Sequence, residues 1–188
     1  LLHDLLLDDK TLEPALVVAD RNHTTGIAEA QKLGVKTKIV DYHSGSNKEH
    51  CEKKLFEELS LAKVDIICLA GFMQILTPTF IKEFGNKILN IHPSILPLFK
   101  GLNTHKRALE SGMIIHGATV HLVTAEIDSG KILGQAIVPI LTDDTESTLA
   151  QRVLKIEHTL YPMVLKRFVN SENQPLLITR MSSFSALD

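Results

Sequence analysis

The segment from Asn90 to Asp128 carries side chains that suit the transfer of a one-carbon acyl group onto an amine. Asn90 and His92 lie two positions apart, so on an extended strand they point to the same side. Pro93 cannot continue a strand in the interior of a sheet, which predicts that the pair lies at a strand end facing a cleft. An amide can donate to an oxyanion, an imidazole can carry a proton, and a distant carboxylate can orient the imidazole. We therefore predict an acyl-transfer site here.

Each of these residues also has a structural interpretation. His92 can be a strand-end histidine that is satisfied by backbone groups. Asp128 stands in Ile-Asp-Ser-Gly, a sequence typical of a tight turn in which Asp bonds its own backbone. Its functional role requires this loop to fold back over the strand ends, which spacing alone does not show. His121 is out of phase with Ala118 and Val120, so it faces either solvent or the cleft.

The elements that must position these residues alternate between strands and helices up to Gly112. Strands are predicted over 16–20, 38–42, 64–70 and 87–91. Helices are predicted over 24–33, 46–61, 78–84 and 104–111. The run 64–70 is almost continuously apolar, as in a strand covered on both faces. This alternation predicts an α/β fold with a doubly wound, mainly parallel sheet.

The pattern changes after Gly112. Residues 118–124 and 132–138 alternate apolar and polar side chains, which predicts antiparallel strands on either side of a 125–131 loop. A long helix should follow the capping residues Asp144 and Thr145, with Pro162 kinking or shortening it. The tail from Ser171 contains a possible strand over 175–179 and is expected to be loosely attached. We expect residues 1–188 to form a single domain.

Composition excludes several classes of protein. A net charge near −2 and the absence of Trp argue against a nucleic-acid partner. No run approaches 18 apolar residues, so no membrane span is predicted. Cys51 and Cys68 lack metal-ligand spacing and are expected to be free thiols in a reducing cytoplasm. The spacing of His105, His116 and His158 matches no common ligand pattern, so no metal is expected.

Several segments together resemble the folate-dependent formyltransferases, over about residues 1–169. The resemblance is densest in residues 70–76, 89–97, 101–105, 116–121, 126–130 and 157–162. The run Asn-x-His-Pro-Ser-x-Leu-Pro is specific to the superfamily, and Gly-Leu-Asn-Thr-His and Glu-His-x-x-Tyr-Pro point to its glycinamide branch. The resemblance implies a Rossmann-like enzyme, monomeric or homodimeric, acting on small molecules. It would transfer the formyl group of 10-formyltetrahydrofolate to the amine of glycinamide ribonucleotide in purine biosynthesis.

The resemblance also implies roles for single residues. His92 would be the catalytic acid/base, Asn90 the amide that polarises the formyl oxygen and contacts the folate, and Asp128 the carboxylate that tunes His92. Folate contacts are implied for Lys48, near the glutamate tail, and for Met73, Gln74, Ile75 and Leu76, along the pterin pocket. Contacts with the ribonucleotide are implied for Glu157 and Pro93.

Two departures from the family pattern stand out. Gln74 occupies a position where Arg is common, so its side-chain contact is in doubt. Relatives also open with a strand and a Gly/Ser/Asn-rich loop that cradles the substrate phosphate. This sequence starts just after that point, and we expect the strand and loop to precede residue 1, since losing an internal strand would expose a sheet edge.

Three other functions fit parts of the sequence. A methionyl-tRNA formyltransferase would need a basic C-terminal domain for RNA, which nothing after Val169 supplies. A formyltetrahydrofolate hydrolase usually carries an additional N-terminal regulatory domain. A non-catalytic ligand-binding module on a doubly wound scaffold would make the Asn90, His92 and Asp128 set a coincidence.

Overall fold

A computed structural model describes residues 12–22, 24–42 and 47–179 of the 188-residue chain. These residues form two compact units. The first comprises the described residues up to 67 together with 72–87, and the second comprises 68–71 and the described residues from 88 onward. Whether they constitute the single domain expected from the sequence stays a prediction.

The first unit begins with a β-α-β arrangement. Strand β1 (Val17–Ala19) pairs in parallel with β2 (Thr37–Ile39), and helix α1 (Thr25–Lys32) connects them. Thr24 caps α1, since its side chain accepts a hydrogen bond from the Ile27 backbone N–H. Parallel strands need a crossover of this kind, which explains the apolar positions buried on the inner side of α1.

Two further helices complete the first unit. Helix α2 (Lys48–Leu61) buries Cys51, Leu55 and Leu59 at helical spacing. The buried carboxylate of Glu52 on α2 accepts hydrogen bonds from the backbone N–H and the hydroxyl of Thr77. Thr77 in turn caps α3 (Pro78–Phe84). This polar contact therefore fixes the start of α3 against α2.

The five-stranded sheet that carries the second unit has the order β3–β4–β5–β6–β7. Its strands are β3 (Ile67–Leu69), β4 (Ile88–His92), β5 (Ile115–Leu122), β6 (Ile132–Pro139) and β7 (Leu176–Ile178). Pairing is antiparallel on both sides of β5 and parallel between β6 and β7, so the sheet is mixed. The α/β class and the antiparallel strands after Gly112 are thus confirmed.

Two helices accompany this sheet, α4 (Thr104–Glu110) and α5 (Glu146–Val169). Thr145 and Thr148 form a reciprocal cap at the start of α5. The hydroxyl of Tyr161 on α5 lies 3.0 Å from the carbonyl oxygens of Leu69 and Leu89, so this helix is fixed to the two strands β3 and β4.

The structure corrects the strand predicted over 64–70 and bears on two further details of the predicted elements. The strand predicted over 64–70 is only Ile67–Leu69 and is half-buried, because the Val64 N–H donates to Leu59 in the turn that ends α2. Pro162 does not shorten α5, which continues for 24 residues, and the alternative that it kinks the helix stays a prediction. A proline costs the helix one hydrogen bond, and the buried side chains around Pro162 compensate. In the tail, β7 pairs with β6, which confirms the strand predicted over 175–179, and the loose attachment of the tail stays a prediction.

The remaining boundaries agree with prediction to within about three residues. Residues 180–188 of the predicted loose tail lie outside the described part of the chain. No helix among the described residues combines the length and the apolar character needed to cross a bilayer.

Candidate active site

Strand β4 places Asn90 and His92 on one side of the sheet, as their spacing predicts. In the antiparallel register, Asn90 faces His121 and His92 faces Thr119 on β5. Directly opposed residues of antiparallel strands lie on the same face, so the four side chains are neighbours. Only 6% of His92 and 2% of His121 is exposed, and both imidazoles are therefore held in place by packing.

The loop that follows β4 is anchored to the sheet beneath it. The Thr119 hydroxyl donates to the Ser94 carbonyl (2.6 Å) and accepts from the Leu96 N–H (3.0 Å). Gln135 on β6 donates to the Leu96 carbonyl (2.9 Å). Buried backbone groups are thus paired throughout the start of this loop, which fixes the backbone beside His92.

Both ring nitrogens of His92 face oxygen acceptors. Nε2 lies 3.0 Å from the carbonyl oxygen of Phe99, and Nδ1 lies 3.4 Å from Oδ2 of Asp128. Because a carbonyl oxygen only accepts, we assign a proton to Nε2. A second proton on Nδ1 would complete an ion pair with Asp128. The ring is therefore arranged to gain and lose a proton at the nitrogen that faces the carboxylate.

Asp128 lies between two histidines. Its Oδ2 accepts a hydrogen bond from the backbone N–H of Gly101 (2.8 Å), and its Oδ1 lies 3.5 Å from Nε2 of His121. The residue has a φ of 48°, a left-handed conformation that Asp tolerates better than most residues. The 125–131 loop thus brings the carboxylate back over the end of β4, as the functional interpretation of Asp128 required.

His121 is the site residue that sequence reasoning left undecided. Its Nδ1 donates to the carbonyl of Leu122 (2.9 Å), and burial lowers the pKa of its imidazole, although that hydrogen bond and the Asp128 carboxylate oppose the shift. The ring is therefore neutral near pH 7, and its Nε2 can accept from the Asn90 amide nitrogen 3.3 Å away. His121 thus holds the Asn90 amide in one orientation. A partial signal existed in the sequence: His121 is a polar residue in the middle of a predicted strand.

The two residues implied to contact the ribonucleotide also belong to the second unit. Pro93 is half-buried directly after His92. Glu157 lies on α5, where burial raises the pKa of its carboxyl group to about 7. Glu157 is thus a group that changes charge close to neutral pH.

The residues implied to contact folate belong to the first unit. Met73 and Ile75 are apolar side chains with 71% and 57% of their surface exposed, whereas Leu76 is buried. Gln74 is half-buried, and Lys48 is exposed at the first position of α2. The alternating exposure of residues 73–76 leaves apolar surface available to a flat ring.

Elsewhere in the second unit, two further histidines pack against one another. The rings of His105 and His116 are 5.2 Å apart, and burial together with the charge of His105 lowers the pKa of the fully buried His116 to about 4. Within the described ranges, no three His, Cys, Asp or Glu side chains converge as metal ligands would. His158 is exposed on α5 and lies apart from this pair in the sequence.

Comparisons with known proteins agree with this geometry. The sequence profile of a family described as formyl transferase matches residues 2–165. The chain is 41% identical over 154 residues to the trifunctional purine biosynthetic protein adenosine-3 of Gallus gallus, covering 82% of this chain but only 15% of that protein. It is 37% identical over 154 residues to the phosphoribosylglycinamide formyltransferase of Escherichia coli strain K12, covering 82% of this chain and 73% of the relative.

A solved structure leads to the same family. The crystal structure of the phosphoribosylglycinamide formyltransferase from Brucella melitensis superposes with a TM-score of 0.77 at 49% identity, covering 81% of this chain and 79% of that one. Matches of this extent and identity establish membership rather than the fold alone. The chain belongs to the formyl transferase family and, within it, to the phosphoribosylglycinamide formyltransferases.

Proposed function

We propose that this protein transfers the formyl group of 10-formyltetrahydrofolate to the amine of glycinamide ribonucleotide. The observation that carries the proposal is the convergence of Asn90, His92 and Asp128, with Nδ1 of His92 3.4 Å from the Asp128 carboxylate. These side chains come from a strand end and from a loop 36 positions further along the chain. A fold has no structural need to bring an amide, an imidazole and a carboxylate together at one point, whereas acyl transfer can use all three.

In this reaction, the amine nitrogen attacks the formyl carbon and a new C–N bond forms. The formyl oxygen becomes an oxyanion, which the Asn90 amide stabilises by donating a hydrogen bond. One amide N–H points to Nε2 of His121, and the other remains for the oxyanion. When the intermediate collapses, the bond to N10 of the folate breaks. The proton lost by the amine is delivered to N10, so the products are the formylated amine and tetrahydrofolate.

His92 is the group that moves this proton. A neutral ring has a vacant position on Nδ1, and a protonated ring has Asp128 as its counter-ion. The Phe99 carbonyl accepts the hydrogen bond of the other nitrogen, Nε2. The ring therefore keeps one orientation while Nδ1 exchanges the proton. Asp128 therefore stabilises the charged form during the reaction and keeps the ring oriented.

The proposal extends to the groups that bind the two substrates. We propose that Met73, Gln74, Ile75 and Leu76 contact the pterin, because exposed apolar side chains such as Met73 and Ile75 favour a flat aromatic ligand. The exposed Lys48 is suited to the negative charge of the folate glutamate tail. Glu157 and Pro93 are proposed to contact the ribonucleotide. Free thiols at Cys51 and Cys68 support a cytoplasmic location, and the protein would act as a monomer or homodimer.

The test is the dependence of formyl transfer on the acceptor. Purified protein is incubated with 10-formyltetrahydrofolate, and release of tetrahydrofolate is measured with and without glycinamide ribonucleotide. We expect release only when the ribonucleotide is present, with one formylated ribonucleotide formed for each tetrahydrofolate. Equal release without the acceptor would identify a hydrolase and refute the proposal.

A further inference from the structure

A three-residue segment of the backbone contacts both His92 and Asp128. The Phe99 carbonyl faces Nε2 of His92 at 3.0 Å, and the Gly101 N–H donates to Oδ2 of Asp128 at 2.8 Å. We refer to residues 99–101 as the bridge. Because its two contact points are only two residues apart, the backbone of the bridge sets the separation between the His92 ring and the Asp128 carboxylate. The Lys100 side chain adds a contact with Ser129, beside Asp128.

Phe99, the first residue of the bridge, has a backbone conformation that its residue type does not favour. Phe99 has a φ of 55° and Gly101 a φ of 77°, both in the left-handed region. Glycine adopts this region readily, but a residue with a Cβ such as Phe does so at a cost. A strained backbone persists only where surrounding contacts hold it. A group that holds the bridge therefore also holds the catalytic pair.

Arg107 on α4 is such a group. Its Nη1 donates to the Lys100 carbonyl at 2.6 Å and reaches the Leu102 carbonyl at 3.4 Å. Its guanidinium carbon also lies 5.4 Å from the centre of the Phe99 ring. A charged donor on a carbonyl and a cation over an aromatic face are both favourable, and here they act on adjacent residues of the bridge.

We propose that Arg107 is a positioning residue for formyl transfer, which holds the bridge and thereby fixes His92 relative to Asp128. The proposal rests on the proposed function for its kinetic readout. Arg107 is exposed and contacts the bridge rather than the reacting atoms, so its loss should affect the chemical step more than substrate binding. Small displacements of catalytic groups lower rates steeply, and we expect kcat to fall about 5- to 20-fold.

The experiment compares Arg107→Met with Lys106→Met. Both substitutions remove one positive charge from α4, but Lys106 pairs with Glu110 (3.8 Å) and does not contact the bridge. Arg107→Met should lower kcat about 5- to 20-fold with KM within about twofold of wild type, and Arg107→Lys, which retains a charged donor, should recover part of the loss. Lys106→Met should match wild type. A kcat for Arg107→Met within twofold of wild type, or an equal fall for Lys106→Met, would overturn the proposal.

A second readout does not depend on activity. In wild-type protein, the Nε2 proton of His92 is held by the Phe99 carbonyl and should give a resolved imidazole N–H signal by NMR, assigned by its absence in His92→Ala. Arg107→Met should broaden or shift this signal, whereas Lys106→Met should not. If the protein fails to transfer formyl groups at all, the proposed function is refuted. The NMR comparison then still shows whether Arg107 positions the His92 ring. An unchanged signal in Arg107→Met would refute its positioning role.

Discussion

Asp128 and Asp144 are both half-buried residues of the second unit, yet the surroundings of their carboxylates differ. Asp144 pairs with Arg152 through two hydrogen bonds of 2.5 and 2.8 Å, and also accepts from the Leu141 N–H and the Thr148 hydroxyl at 2.8 Å each. Asp128 accepts one hydrogen bond of that length, from Gly101, and faces its two histidines at 3.4 and 3.5 Å.

The difference separates a structural carboxylate from the one that we propose to take part in the reaction. Every lone pair of Asp144 is directed at a close donor, so its charge is fixed and the Arg152 hydrogen bond lowers its pKa to about 2. The longer contact of Asp128 with Nδ1 of His92 leaves room for a proton to arrive and leave. We therefore expect substitutions around Asp128 to change activity and those around Asp144 to change stability.

The largest expected effect is on turnover. His92→Ala and Asn90→Ala each remove a group proposed to act on the reacting atoms, and the loss of one such donor typically costs about 3–4 kcal/mol, or about 10²–10³ in rate. Steady-state kinetics should show this loss in kcat, with a much smaller change in the KM for folate.

The matched control for this prediction is His50→Ala, the same substitution at an exposed histidine of α2. It should retain wild-type kinetics. Wild-type turnover in purified, folded His92→Ala would contradict the assignment of His92 as the group that carries the proton.

The second prediction concerns Asp128→Asn, which keeps the shape of the side chain and removes its charge. A hydrogen bond to a charged group contributes about 1.5–3 kcal/mol, so kcat should fall about 10- to 100-fold. The melting temperature should change little. A variant with wild-type kcat would show that Asp128 does not act on His92.

Part of this contrast can be predicted from the sequence. Asn90 and His92 are two residues apart on one strand, so local periodicity alone places them together. The pairing of His121 with Asn90 spans 31 residues and depends on the β4–β5 register, which no local pattern specifies. The contacts of Phe99 and Gly101 with the site involve backbone groups that every residue possesses, and only the folded loop shows where they point.

The third prediction applies the same substitution to the structural carboxylate. Asp144→Asn should lower the free energy of unfolding by about 1 kcal/mol near pH 7, because its pKa falls from 3.8 to about 2 on folding and solvent screening reduces the energy of such a shift at a partly exposed site. A lowered carboxyl pKa contributes stability that is complete above the ordinary value of 3.8. This contribution disappears as the pH falls through about 2.

Urea unfolding of both proteins at several pH values measures this effect. The difference between wild type and Asp144→Asn should be largest near neutrality and shrink progressively below pH 4, while kcat at neutral pH remains close to wild type. A variant that unfolds like wild type at pH 7, or that loses turnover as severely as Asp128→Asn, would remove the distinction between the two carboxylates.

The last prediction concerns melting alone, at Glu157, a third kind of carboxyl group, whose pKa burial raises from 4.5 to about 7. Between these values the folded protein binds more protons than the unfolded chain, so this group lowers stability as the pH rises from about 4.5 to 7. Glu157→Gln does not titrate, and it should melt with wild type at pH 4.5 but about 5–10 °C above it at pH 8. Glu83→Gln, at an exposed position of α3, is the matched control and should follow wild type at both pH values. If Glu157→Gln melted below wild type at pH 8, the Glu157 carboxylate of the wild-type protein would have to be stabilised by a partner. Glu157 would then resemble Asp144 rather than a group that binds a substrate.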